Sequence, residues 1–343
     1  MNRRSIAAAL TSAALVPLLL GACGTTEPDT GSAEAPAANA SVDCADDTTA
    51  TATGPVTVND ALGRTVELPE PAKRVAVLEW QQIEDALTLC LTPVAVSDAK
   101  GYTTWNTAEA LPSGVADVGT RGEPNLDALF AANPDLVIIE AAAADDAVLK
   151  QLSEYDVPVL ATKGADAADP VQNMLDTFTL IAKATGREER AALVVDDFKA
   201  SLAEAKETVS GADIPVKEFI YFDGWIQGGN VALRPFGQGS LVGELGEELG
   251  LTNAWTGEVD PVYGLGQTDI EGVRAVGSAT FFHTGTVDPA GDVLTELDKN
   301  QAWKSLPAVS EGRVHAFPPG IWTFGGPRSS QQVLDAYVDL LTK

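Results

Sequence analysis

Five aromatic side chains and three arginines are the residues that could do chemistry together in this 343-residue chain. Trp80, Trp105, Trp225, Tyr263 and Trp322 fall at strand ends or in loops, the positions that line an interlobe cleft in α/β architectures. Arg121, Arg234 and Arg328 lie in loops too, each beside a glycine or proline. In a partly dry cleft a guanidinium presents a fork of hydrogen bonds to anionic oxygens. Rings for walls and guanidinium donors for outward oxygens describe a site that holds a ligand rather than one that breaks it. Trp255 and Trp303 are read as core.

Signals for catalysis are weak by comparison. His283 and His315 are the only histidines, and each sits in a strand-like run, so both are read as structural. With no His/Cys cluster at ligand spacing, neither a metal site nor a cofactor is expected. Gly237-Gln238-Gly239-Ser240 precedes a helix but lacks the Gly-Lys-Ser/Thr ending of a P-loop. It is read as a cleft loop whose helix N-terminus faces ligand oxygens. A secreted α/β hydrolase is the alternative from another class, and the sequence offers it no nucleophile–base pair. Asp and Glu outnumber Lys and Arg by 49 to 22. No basic stripe is left to neutralise phosphates, so nucleic acid is excluded as a partner.

The elements that must position these residues alternate. Val56–Val58 and Thr65–Leu68 suggest a hairpin, and Arg74–Leu78 a buried strand. Ile83, Leu87 and Cys90 mark a helix by their spacing. Leu136–Ile139 is an uninterrupted apolar run of the kind found in parallel strands covered on both faces. Asp169-Pro170 then opens roughly 35 helical residues, with Asp as N-cap and Pro at the first helical position. A second alternation follows. Phe219–Phe222, Phe281-Phe282 and Arg313–Phe317 read as strands, Ser240 and Asp269 as helix caps, and Val333–Leu341 as the last helix. The expected fold is α/β: two Rossmann-like lobes, 56–168 and 211–343, joined by a rigid helical spine over 169–210, with a cleft between them.

Residues 1–22 read as a signal peptide: Arg3 and Arg4, an apolar run from Ile6 to Leu20, then Leu20-Gly21-Ala22-Cys23. Small residues before a cysteine suit lipoprotein processing, which places acyl chains on Cys23 and holds the chain to the outer face of the cell membrane. Residues 23–55 are Thr, Ala, Asp, Glu, Gly, Ser and Pro with few large apolar side chains, and read as a flexible tether. If Cys23 carries lipid, Cys44 and Cys90 remain in an oxidising compartment. They either pair or leave Cys90 as a small buried hydrophobe.

Ordered motifs carry a family resemblance over nearly the whole mature domain. Val75-Ala76-Val77-Leu78-Glu79-Trp80, Asp117 to Leu126 (with Arg121-Gly122-Glu123-Pro124-Asn125-Leu126), and Pro134-Asp135-Leu136-Val137-Ile138 resemble the periplasmic iron-siderophore binding proteins of the helical-backbone class. Phe236–Leu241, Asn253–Glu258 and Gly312-Arg313-Val314 match in the same order. The Leu-Glu-Trp and Arg-x-Glu-Pro-Asn-Leu elements look most like the ferric-hydroxamate-binding members.

The resemblance implies a monomeric receptor that binds a ferric hydroxamate or mixed citrate–hydroxamate siderophore and delivers it to an ABC permease. Heme or cobalamin is the alternative cargo of the same class. It implies that Arg121 donates to the iron-coordinating oxygens and that Trp105, Tyr263 and Trp322 lie in or near the cleft. It also implies that Asp127 and Glu271, one per lobe, dock on permease arginines. At the first of these the family usually has Glu. The tyrosine that contacts hydroxamate in the ferric-hydroxamate-binding members has no clear counterpart in the Ala141–Ala144 run after Glu140.

Overall fold

The computed structural model describes residues 42–228, 230–286 and 292–342. The signal segment, Cys23 and most of the tether lie outside the described residues. A short helix, α1 (Val42–Ala45), comes first, and Cys44 within it is joined to Cys90 by a disulfide. The backbone that follows is docked rather than loose: Asp47 pairs with Arg187, and the Ala52 N–H donates to the Gly186 carbonyl at 2.8 Å. Among the described residues, packed contacts are thus already present at Cys44, ahead of Val56. The composition of this stretch concealed its anchors, which are one sulfur and one carboxylate rather than apolar bulk.

A hairpin of β1 (Val56–Asn59) and β2 (Thr65–Leu68) leads into the first lobe. There β3 (Val75–Val77), β4 (Ala95–Val96), β5 (Ala116–Asp117), β6 (Leu136–Glu140) and β7 (Val159–Thr162) form a parallel sheet in the order β5-β4-β3-β6-β7. Helices α2 (Trp80–Thr88), α3 (Ala99–Trp105), α4 (Leu126–Ala131) and α5 (Ala147–Leu152) connect the strands. The chain winds outward from β3 in one direction and resumes at β6 in the other. The carboxyl ends of β3 and β6 thus flank a topological switch point, where such sheets leave a crevice.

The spine is α6 (Pro170–Thr185) and α7 (Glu188–Gly211), broken at Gly186, which takes the left-handed conformation (φ 68°). Asp169 caps α6 by accepting from the Gln172 N–H, with Pro170 first in the helix. Phe178, Ile181 and Val194 belong to the first lobe's core, while Met174, Leu175, Phe198 and Val209 belong to the second's. Each helix is therefore cemented into both cores, and bending between the lobes would open packed apolar surface.

The second lobe is built on β8 (Glu218–Gln227), which makes an antiparallel hairpin with β9 (Asn230–Phe236). After α8 (Leu241–Glu248), β10 (Thr252–Asn253), β11 (Thr280–His283) and β12 (Val314–Ala316) complete a sheet ordered β10-β8-β11-β12. Three short helices, α9 (Val293–Leu297), α10 (Gln301–Lys304) and α11 (Pro307–Ser310), cover it, and α12 (Pro327–Leu341) closes the chain. The helix expected after Asp269 is one 3-10 turn, Gly272–Val276. The strand β9 was not expected: Pro235 inside it argues for a loop. Here Arg234 and Asp223 stand directly opposite each other across the hairpin.

Candidate functional site

Four strand ends of the first lobe converge on a cavity of about 400 Å³ between the lobes. Glu79 and Gln81 follow β3, Arg121 follows β5, Glu140 ends β6 and Gly164 follows β7. Glu79 is fixed from two sides. Its Oε1 caps α2 by accepting from the Trp80 N–H at 2.8 Å, and it accepts from Arg121 Nη1 at 2.6 Å. The Arg121 guanidinium carbon lies 4.1 Å from the centroid of the Trp80 ring and 5.9 Å from that of Trp322. A carboxylate and two indoles thus hold the guanidinium in place, a geometry suited to cation–π attraction. Arg121 uses one of its donors on Glu79, and the others remain for ligand oxygens.

The second lobe supplies Arg234 from β9, Tyr263 and Leu265 from the loop after β10, and Trp322 and Phe324 from the approach to α12. Arg234 grips both oxygens of Asp223, through Nε at 2.9 Å and through Nη2. Its guanidinium carbon lies 5.6 Å from both the Phe236 and Phe324 rings. Tyr263 reaches across the cleft and donates its hydroxyl to Glu140 Oε1. Gly264, at φ 66°, lets this loop sit on Gly239 and Ser240, where an added Cβ would come within 2.5 Å of backbone. Gly164 serves Glu140 in the same way, because a Cβ there would lie 2.2 Å from the carboxyl carbon.

Burial raises the Glu140 pKa above the usual carboxylate range, with the Tyr263 hydrogen bond opposing. Burial, reinforced by Glu140, pushes the Tyr263 phenol up as well. Asp223 is also raised by burial, against the pull of Arg234.

Of the residues expected to share a groove, Arg121, Arg234, Tyr263 and Trp322 line this cavity. Trp80 does not. It is 5 % exposed and stands behind Arg121, edge-on to Trp322 with ring centroids 4.7 Å apart. Trp105 ends α3 and lines a neighbouring cavity of about 140 Å³ with Asp223, His283 and Asp292. Asp223 is shared, since its carboxylate also holds Arg234. Trp225 lies on β8 opposite Ala232, exposed and outside the cavity lining. Arg328 is not in a cleft loop; it begins α12 and pairs with Asp197 on α7 at 2.5 Å. The Gly237–Ser240 loop is no ligand loop either, because Ser240 is buried and its Oγ caps α8 through the Gly243 N–H. Asp127, in the first turn of α4, and Glu271, paired with Arg274 at 2.9 Å, are exposed, one on each lobe.

Sequence reading missed Glu79, Glu140, Asp223 and Phe324. An acidic residue at a strand end looks like any solvated surface charge until its partner across the cleft is known. The signal available for Glu140 was its place closing a wholly apolar strand.

Comparison with known proteins places this architecture. Residues 75–320 match the family described as periplasmic binding protein, which is most of the lobed domain. The chain belongs to that family. Its members are binding proteins rather than enzymes.

Among curated members, the chain is 27 % identical to the Fe(3+)-citrate-binding protein YfmC of Bacillus subtilis (strain 168), over 80 % of this chain and 82 % of that one. It is 26 % identical to the iron(3+)-hydroxamate-binding protein FhuD of Escherichia coli (strain K12), over 76 % and 86 %. The Fe3+–Desferal-bound siderophore-binding protein FhuD of Vibrio cholerae superposes with a TM-score of 0.67 at 24 % identity, covering 79 % of this chain and 98 % of that one. The α/β two-lobe fold is thus that of this family. Some members, such as YfiY of Bacillus subtilis (strain 168), are named as lipoproteins. Among the described residues no helix is long and apolar enough to cross a membrane.

Proposed function

We propose that this protein captures a ferric siderophore of the hydroxamate or mixed citrate–hydroxamate class in the interlobe cavity and delivers it to an ABC permease. One observation carries the reading: Arg121 is pinned by Glu79 and Trp80 with donors left over, at the mouth of a space walled by Tyr263, Trp322 and Phe324. Iron that arrives already chelated needs no ligands from the protein. It needs flat walls for its organic shell and a few fixed donors for its outward oxygens. Relatives named for ferric citrate and ferric hydroxamate support the same class of cargo. A heme reading would call on Tyr263 as an axial ligand, but its hydroxyl is engaged by Glu140.

Acyl chains on Cys23 would hold the receptor, as a monomer, at the outer face of the membrane, with Asp127 and Glu271 presented to permease arginines. Titrating the purified protein with ferric complexes should quench its tryptophan fluorescence at submicromolar concentrations, and iron-free chelators should not. Quenching by neither, or equally by both, rejects the reading. Charge reversal, Asp127→Lys or Glu271→Lys, should leave that quenching curve in place while iron uptake by cells falls. Unimpaired uptake removes these two carboxylates from the permease contact.

A further inference from the structure

The charges around the cavity do not add up to a site for anions. Its two arginines are each matched by a carboxylate: Arg121 by Glu79 at 2.6 Å, and Arg234 by both oxygens of Asp223. Arg328, which would have added a third positive charge, is turned away toward Asp197. That leaves Glu140. It lines the cavity, its Oε1 accepts from Tyr263, and its Oε2 has no hydrogen-bond partner among the described residues. Glu79 and Asp146 add negative potential at Glu140, with Arg121 opposing, and Glu79 and Asp260 add it at Tyr263. Asp260 is itself held by the backbone N–H groups of Val262, Tyr263 and Leu265, and so is fixed there. The whole chain carries a net charge of −27.

We propose that Glu140 is a charge filter for the cargo: the cavity takes neutral or cationic ferric complexes, the trihydroxamate class with or without a pendant ammonium, and discriminates against anionic ones. This rests on the receptor reading above and narrows it, setting the hydroxamate cargo before the anionic citrate-bearing one. Three hydroxamates exactly balance ferric iron, so a trihydroxamate complex brings no net charge, while Arg121 still donates to its polarised oxygens. A pendant ammonium finds the unengaged oxygen of Glu140. A tris-catecholate or a polycarboxylate complex carries excess negative charge, and the cavity has no unmatched cation to receive it. In a partly dry site that mismatch is screened far less than at an open surface. Arg234 then acts as a wall fixed by Asp223, and Arg121 as the working donor.

One chelator scaffold separates charge from shape. A linear ferric trihydroxamate with a terminal amine, its N-acetyl derivative and its N-succinyl derivative share one iron centre but are cationic, neutral and anionic. Calorimetric titration of the whole protein should give affinities in that order, with about tenfold or more between the first and last. In Glu140→Gln, whose amide oxygen can still accept from Tyr263, that ratio should shrink to within about threefold. A merely structural fault would weaken all three together and leave the ratio as it was, which overturns the proposal. Equal affinities in the wild-type protein, or tightest binding of the anionic derivative or of a ferric tris-catecholate, also overturn it and leave the receptor reading standing. Binding of no ferric complex at all sinks both.

Discussion

Replacing Arg121 by alanine is expected to weaken binding of a ferric trihydroxamate about 30-fold, the equivalent of about 2 kcal/mol. Hydrogen bonds to a charged donor contribute about 1.5–3 kcal/mol each when the site is dry. The Arg121 side chain is 37 % exposed in the open cavity, which argues for the lower part of that range. Two further effects push the other way. The guanidinium is stacked on Trp80, so little rotamer freedom is lost when cargo arrives. Removing it also leaves Glu79 facing the coordinating oxygens with no counter-charge. Pairing Arg121→Ala with Glu79→Gln should therefore recover part of the lost affinity. Arg121→Lys keeps the charge but not the planar fork, and should fall between wild type and alanine. Isothermal titration of the four proteins measures this. An alanine variant that binds like wild type would remove Arg121 from the site.

Much of the scaffold under that arginine was legible in the order of residue types. Leu136 to Ile139 had to be a strand buried on both faces, and Asp169-Pro170 had to start a helix, because burial and capping are local demands. The cap at Ser240 is legible for the same reason. Arg121, Tyr263 and Trp322 could be nominated because a ring or a guanidinium in a loop needs a reason to be there.

What could not be read is anything decided by a partner distant in sequence. Arg234 and Arg328 look alike, each next to a proline, yet one meets Asp223 across a hairpin and the other meets Asp197 on the spine. Trp105 sits at the end of a helix whose sequence, Ala-Lys-Gly-Tyr-Thr-Thr-Trp, has no apolar stripe to announce it. Glu140 and Tyr263 stand 123 positions apart, and only the lobes' packing makes them a pair.

The same dependence on distant partners governs how the lobes are held at one angle. Gly326 caps α12 without a side chain, and the cap comes instead from Glu84 on α2 of the other lobe. That carboxylate accepts from the Ser329 N–H at 2.8 Å, the Ser329 hydroxyl and Asn106 Nδ2 at 2.7 Å, and from the Gly326 N–H. Next to it is Asp85, equally buried, with no hydrogen-bond partner for either carboxyl oxygen among the described residues. Gly326 makes the room, since a Cβ there would lie 2.1 Å from Asp85 Oδ1. Burial raises both carboxyl pKa values, and Glu84 raises Asp85 further.

A carboxyl whose folded-state pKa is raised binds its proton more tightly in the fold. Its contribution to stability is fully present below the ordinary carboxylate pKa of about 4 and is lost as pH rises from there through the raised value. Asp85→Asn removes the ionisable group while keeping its shape. It should raise the melting temperature at neutral pH by roughly 2–4 °C, the effect of about 1 kcal/mol in a domain of this size, and the gain should vanish near pH 4. Glu84→Ala should do the opposite and more strongly, because it strands buried N–H donors at a helix end, at a cost of about 3 kcal/mol or more. Thermal melts across pH distinguish the two carboxyls. A neutral-pH loss of stability in Asp85→Asn would mean that Asp85 works as an anion in the fold, and would overturn the reading of it as a carboxyl whose burial favours its proton.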